Sequence, residues 1–241
     1  MTFSKKNIAF LSGLTVLAVF SNTCTASIIL NGTRVIYPAK KKEVTVTVTN
    51  NNTTPVLIQN WIDNGNEKGE PGKTAVPFVL TPPINRVDPG KGQTLRISYI
   101  GSTPLPVDKE SVFWLNVLEI PSKQKNESVA DSKLNIAFRT RIKIFYRPEG
   151  LSGSPSVAAE NLHWSVQGGG VKVTNPSNYF VSLSNVTLQV NGKTIEERAR
   201  MIAPGGSDTY QFKGANVSSL ANVKYTAIND YGGLKLYKAK N

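Results

Sequence analysis

Two all-β sandwiches in series are the fold this sequence predicts, and three observations carry the prediction. The chain reads as strand after strand with a two-residue apolar period, and no ten-residue segment carries a helical apolar stripe. Gly and Pro punctuate the strands throughout. Finally, 241 residues are too many for one seven-strand sandwich and comfortable for two. An apolar content of 39% is enough for real cores, and 14 Pro with 19 Gly supply the turns.

The first 26 residues stand apart from that pattern. Lys5 and Lys6 form a short positive segment, residues 8–20 are largely apolar, and Ala26 ends a run of small residues. This is the pattern of a secretory signal peptide cleaved after Ala26. A membrane anchor would need a longer apolar run. A lipoprotein signal at Cys24 would need a different context than Ser21-Asn22-Thr23. Cys24 is the only cysteine, so the mature chain is expected to rely on its cores without a disulfide. Loss of two lysines lowers the formal charge from +12 to +10. No second apolar span follows, so no stable membrane insertion is expected.

In the mature chain, residues 44–49 (VTVTVT) alternate strictly, as a half-buried strand should. Strands are expected next at 56–62, 95–100, 112–120 and 134–146, with breaks at Pro71-Gly72, Pro82-Pro83 and Pro89-Gly90. After Pro148, residues 149–155 (EGLSGSP) read as a linker. A second series is expected at 162–166, 171–174, 179–183, 187–190, 193–195, 209–212, 223–228 and 235–237. Asn191-Gly192 marks a tight hairpin between two of these. The domains are therefore expected at 27–148 and 149–241.

Catalytic constellations are missing. The lone histidine, His163, has no second ligand or nucleophile beside it, and no zinc-type cluster is spelled out. Gly168-Gly169-Gly170 lacks the Lys and hydroxyl of a phosphate loop, and Glu196-Glu197 point to opposite faces of a strand. No enzyme and no cofactor are expected. Two binding roles remain. Trp61, Trp114 and Trp164 would suit an exported basic adhesin or glycan-binding module, though tryptophans in strands usually build cores. The positive charge would suit a polyanion, but cations spread along a chain are usually a solvated surface.

Residues 134–145 (LNIAFRTRIKIF) are the most informative stretch. Leu134, Ile136 and Phe138 share one face of a strand, and Arg139, Arg141 and Lys143 share the other. Periodicity alone fits an edge strand with charges that discourage pairing. It also fits a strand offered to another protein, with cations for an anionic group.

Four segments bear a resemblance that separates these. Residues 105–121 (LPVDKESVFWLNVLEIP), 81–90 (TPPINRVDPG), 141–148 (RIKIFYRP) and 228–233 (INDYGG) resemble, in order, the signature segments of periplasmic pilus-assembly chaperones of the chaperone–usher pathway. The resemblance covers essentially the whole mature chain. It implies two immunoglobulin-like β-sandwich domains arranged as a boomerang, a periplasmic location, and no nucleic-acid partner. Its implied partners are pilus subunits, stabilised by a donated strand, and an outer-membrane usher that receives them. Arg34, the eighth residue after Ala26, and Lys143 are implied to hold a subunit's C-terminal carboxylate. Leu134, Ile136 and Phe138 are implied to fill the subunit's groove. Arg96, Glu110 and Asp230 are implied to form an ion cluster between the domains. The short cysteine-free loop at 122–133 resembles the short-loop subgroup, which serves rod-like pili.

Overall fold

In the computed structural model, residues 28–120 and 136–241 are described. The expected signal segment, Leu134 and the 122–133 loop lie outside them.

The first half builds two facing sheets. One has the order β1 (Ile28–Leu30), β3 (Glu43–Asn50), β7 (Gly92–Tyr99), β5 (Phe78–Thr81). The other runs β2 (Arg34–Pro38), β9 (Arg139–Arg147), β8 (Ser111–Ile120), β4 (Val56–Asp63), β6 (Ile84–Val87). The apolar alternation seen in the sequence points into the space between them. Val46, Val48, Leu95, Ile97, Ile58, Leu115 and Ile144 are buried there, together with Tyr37. Strand β2 joins β9 in parallel, with Arg34 in register with Lys143.

The second half repeats the plan. A sheet of β10 (His163–Gln167), β11 (Gly170–Thr174) and β15 (Ser207–Tyr210) faces one ordered β13 (Lys193–Arg198), β12 (Val181–Val190), β16 (Val223–Ile228), β17 (Leu234–Lys238). The short β14 (Met201–Ile202) also pairs with β12. Leu162, Trp164, Val171, Val173, Val186, Val223 and Tyr225 fill its core. The molecule is thus all-β in two sandwich domains, and among the described residues no helix is long and apolar enough to cross a membrane.

Three local expectations change. Strands expected at 179–183 and 187–190 are one strand, β12, with a register shift between Leu183 and Asn185. The extra residue resets the phase, so Leu183 and Val186 both face the core despite their odd spacing. The linker stretch leads into a one-and-a-half-turn helix, α1 (Pro155–Glu160). Ser154 caps it by accepting a hydrogen bond from the Val157 N–H, Pro155 occupies the first turn, and Ala158 and Ala159 are buried. Finally, the strand expected from residue 134 begins at Arg139. Before it, the Glu119 N–H still donates to the Phe138 carbonyl at 2.9 Å, so part of the ladder continues.

The tryptophans are not an exposed platform. Trp164 and Trp61 are buried, and the Arg141 guanidinium lies 4.8 Å from the centre of the half-buried Trp114 ring.

Candidate functional site: the cleft between the sandwiches and the open edge of β9

Alternation decides which side chains reach the cleft. On β2, Val35 and Tyr37 are buried in the first core, so Arg34 faces the opposite way. On β9, Ile142 and Ile144 point inward, which turns Arg141, Lys143, Phe145 and Arg147 outward. The parallel register then sets Arg34 and Lys143 side by side.

This is an unfavourable arrangement without an anion. Burial, with the like charges of Arg34 and Arg141, holds the Lys143 ammonium below the usual lysine pKa. Burial also lowers the Arg34 pKa, while the Asp230 carboxylate opposes that effect. Among the described residues Lys143 has no carboxylate within ion-pair distance. Arg34 donates from Nη1 to the Ile228 carbonyl at 3.2 Å, and its Nε–H is buried without a partner.

The other two cations of β9 are already engaged. Arg141 donates to both oxygens of Asp63, at 2.6 Å and 3.3 Å, and Asp63 is almost fully buried. Arg139 donates to the Glu67 carbonyl at 2.9 Å and pairs with the Glu67 carboxylate at 3.5 Å. Of the three cations expected to offer themselves to an anion, Lys143 is the one that remains.

Beside this pair β9 has an open edge. Strand β2 covers β9 only from Lys143 to Arg147, leaving residues 139–142 without a neighbour on that side among the described residues. Gly32, Arg34, Val44, Val46 and Ile142 line a groove next to that edge. Ile136 and Phe138, just upstream, are 54% and 63% exposed. Large apolar side chains left in water beside an unpaired strand edge form a surface made for strand addition.

The ion cluster between the domains differs from the expectation in one member. Arg96 does not belong to it. Its neighbours Leu95 and Ile97 are buried, so alternation sends Arg96 out of the opposite sheet, where it pairs with exposed Glu43 at 3.1 Å. The arginine between Glu110 and Asp230 is Arg147. Its Nε donates to Glu110 at 2.6 Å, and its two terminal nitrogens donate to the Asp230 oxygens at 2.8 Å and 3.1 Å. Burial alone would lower the Arg147 pKa, but the bonds and charges of Asp230 and Glu110 outweigh it and raise it. The second Glu110 oxygen accepts the Phe180 N–H at 2.8 Å, and the Glu110 N–H donates to the Asn178 carbonyl at 2.9 Å. Phe145 meets Phe180 with ring centres 6.1 Å apart. The sequence held a signal for Arg147. It lies two and four residues from Phe145 and Lys143, hence on their face, and immediately before the junction at Pro148.

With this geometry in place, comparison with known proteins is informative. Residues 27–152 match the model described as pili and flagellar-assembly chaperone, PapD N-terminal domain. Residues 157–239 match that of pili assembly chaperone PapD, C-terminal domain. The chain belongs to this family of pilus-assembly chaperones. It is 45% identical over 239 residues to the probable fimbrial chaperone YadV of Escherichia coli strain K12, covering 97% of both chains. The crystal structure of the YadV chaperone superposes with a TM-score of 0.74 at 41% identity, over 88% of this chain and 98% of that one. The Salmonella enterica SafB chaperone, solved in complex with the SafA pilin, gives 0.74 at 28% identity, over 89% of this chain and 96% of the matched one.

Proposed function

We propose that this protein is a periplasmic chaperone that captures pilus subunits by lending them a strand and delivers them to an outer-membrane usher. The single observation that carries the mechanism is the uncompensated Arg34–Lys143 pair beside the open edge of β9. A subunit's C-terminal carboxylate would supply the missing anion, and its last strand would pair along that edge. Leu134, Ile136 and Phe138 would fill the subunit's groove.

Magnitudes divide the labour. Three apolar side chains taken out of water are worth about 5–9 kcal/mol gross, before ordering and association costs. Each charge-assisted hydrogen bond adds roughly 1.5–3 kcal/mol. The apolar row therefore drives capture, while the carboxylate anchor fixes register. A slip of one residue would turn every apolar side chain to the wrong face. Release follows when another subunit's segment replaces the lent strand. Export through the segment ending at Ala26 would place the chaperone where subunits emerge. The cluster of Glu110, Arg147 and Asp230 serves to hold the two sandwiches at the angle that keeps Arg34 in the cleft.

Affinity capture from periplasmic extract tests the reading. Recovery of subunits that are unstable alone is the expected result; recovery of glycans in their place would overturn it.

A further inference from the structure

The cavity at the junction has a wall on each sandwich. Arg34 and Arg147 line it from the first; Ser182, Ile228, Asp230 and Lys235 line it from the second. Glu110 and Asp230 are both committed to Arg147. Arg34 and Lys235 are left without a carboxylate within ion-pair distance among the described residues. The Lys235 ammonium lies instead 5.0 Å from the centre of the Tyr237 ring.

Ser182 adds an independent sign of a missing acceptor. It is 4% exposed, and its hydroxyl has no hydrogen-bond partner. The topology brings these groups to one place. Ser182 is in register with Ile228, whose carbonyl accepts from Arg34. On its other side Ile228 is in register with Leu234, the residue before Lys235. A residue with an idle guanidinium N–H, one with an idle hydroxyl and one with an unpaired ammonium thus line one cavity, whose carboxylates Glu110 and Asp230 are already committed to Arg147.

We propose that Lys235 and Ser182 form a second wall of the carboxylate site: the terminal carboxylate held by Arg34 also accepts hydrogen bonds from these two residues. Capture of a subunit then ties the two sandwiches together through one anion. This inference rests on the functional reading above.

The test uses the full-length mature protein and two synthetic peptides with one alternating apolar sequence, one ending in a free carboxylate and the other in an amide. The wild type is expected to bind the free acid roughly tenfold or more tightly than the amide, the ratio one charge-assisted contact supports. Lys235→Gln should reduce that ratio severalfold, Lys235→Arg should restore it, and Ser182→Ala should reduce it. Lys238→Gln, which changes the same charge elsewhere on β17, should leave it alone. If Lys235→Gln keeps the full ratio while Arg34→Ala loses it, the second wall is wrong and the functional reading stands. If Lys238→Gln matches Lys235→Gln, the effect is diffuse charge and the proposal fails. If the wild type does not distinguish the peptides, or Arg34→Ala leaves the ratio intact, both readings fall.

Discussion

Arg147 and Glu110 are joined by a 2.6 Å hydrogen bond across the foot of the first sandwich, and the same guanidinium grips Asp230 on the second. Only 1% of the Glu110 side chain is exposed. Removing it would leave Arg147 with Asp230 alone and leave the Phe180 N–H without its acceptor. Burial raises the Glu110 pKa against the pull of Arg147, and Arg147 keeps Asp230, so Glu110→Ala is expected to cost about 1–3 kcal/mol, the cost of a buried donor left unsatisfied. Glu149 is the control: its pair with Lys40 spans 3.2 Å between side chains more than 60% exposed, and such pairs contribute about 0–1 kcal/mol. Thermal unfolding of the two alanine variants side by side should show a large drop for Glu110 and almost none for Glu149. Arg96→Ala should behave like Glu149→Ala, because its partner Glu43 is exposed.

Lys143 should trade stability for function. Its pKa is lowered in the folded protein, so between that lowered value and the ordinary ~10.4 the unfolded chain binds more protons. The penalty is therefore fully present below the folded pKa and fades as pH rises towards the unfolded one. Lys143→Met is expected to gain about 0.5–2 kcal/mol at neutral pH, with the gain shrinking as pH rises through the lowered Lys143 pKa. Denaturant midpoints of both proteins across alkaline pH read this directly. A variant less stable than the wild type at pH 7 would contradict it.

The Asp63–Arg141 pair should make its own mark at acid pH. Burial alone would raise the Asp63 pKa, but hydrogen bonds from Arg141, Asn116 and the Gly65 N–H outweigh it and lower it. A depressed carboxyl contributes stability above the unfolded value of ~3.9 and loses it as pH falls through the folded one. The stability gap between wild type and Asp63→Asn should be full at pH 6 and should close as pH falls below about 4. An equal gap at pH 6 and pH 2.5 would mean that the carboxylate's charge is not what matters.

Gly232, in the second half, stands against Thr33 of the first. Its φ is +84°, and a Cβ there would stand 2.5 Å from the Thr33 hydroxyl oxygen. Gly232→Ala should cost about 1–3 kcal/mol from strain and crowding. Adding Thr33→Ala should recover part of that, because the clash goes and the backbone strain stays. Strict additivity in a double-mutant cycle would show that the two residues are not in contact.

Much of this was legible in the sequence where one rule operated at a time. Alternation alone places Val46, Val48, Leu95 and Ile97 in a core, and the same rule puts Arg34 and Lys143 on one face once their strands are paired. What the pattern hid had a physical cause in each case. The bulge after Leu183 shifts the phase of β12, so one strand looks like two. Helix α1 is too short to show a period, although the Ser154-Pro155 start announces it. Arg96 and Arg147 are both arginines in strands, and only pairing partners distinguish a solvated face from the domain junction. Which of Arg139, Arg141 and Lys143 stays available depended on Asp63 and Glu67, far away in sequence and invisible to periodicity.

The central claim is that Arg34 and Lys143 form a carboxylate anchor that the described residues of the folded chaperone leave without a carboxylate within ion-pair distance. The most direct measurement is the amount of pilus subunit co-purifying from the periplasm with Arg34→Ala and Lys143→Ala, after circular dichroism has confirmed that both remain folded. The account predicts a fall of at least roughly tenfold for either variant, the loss of one charge-assisted contact. Wild-type levels of subunit on either folded variant would contradict it.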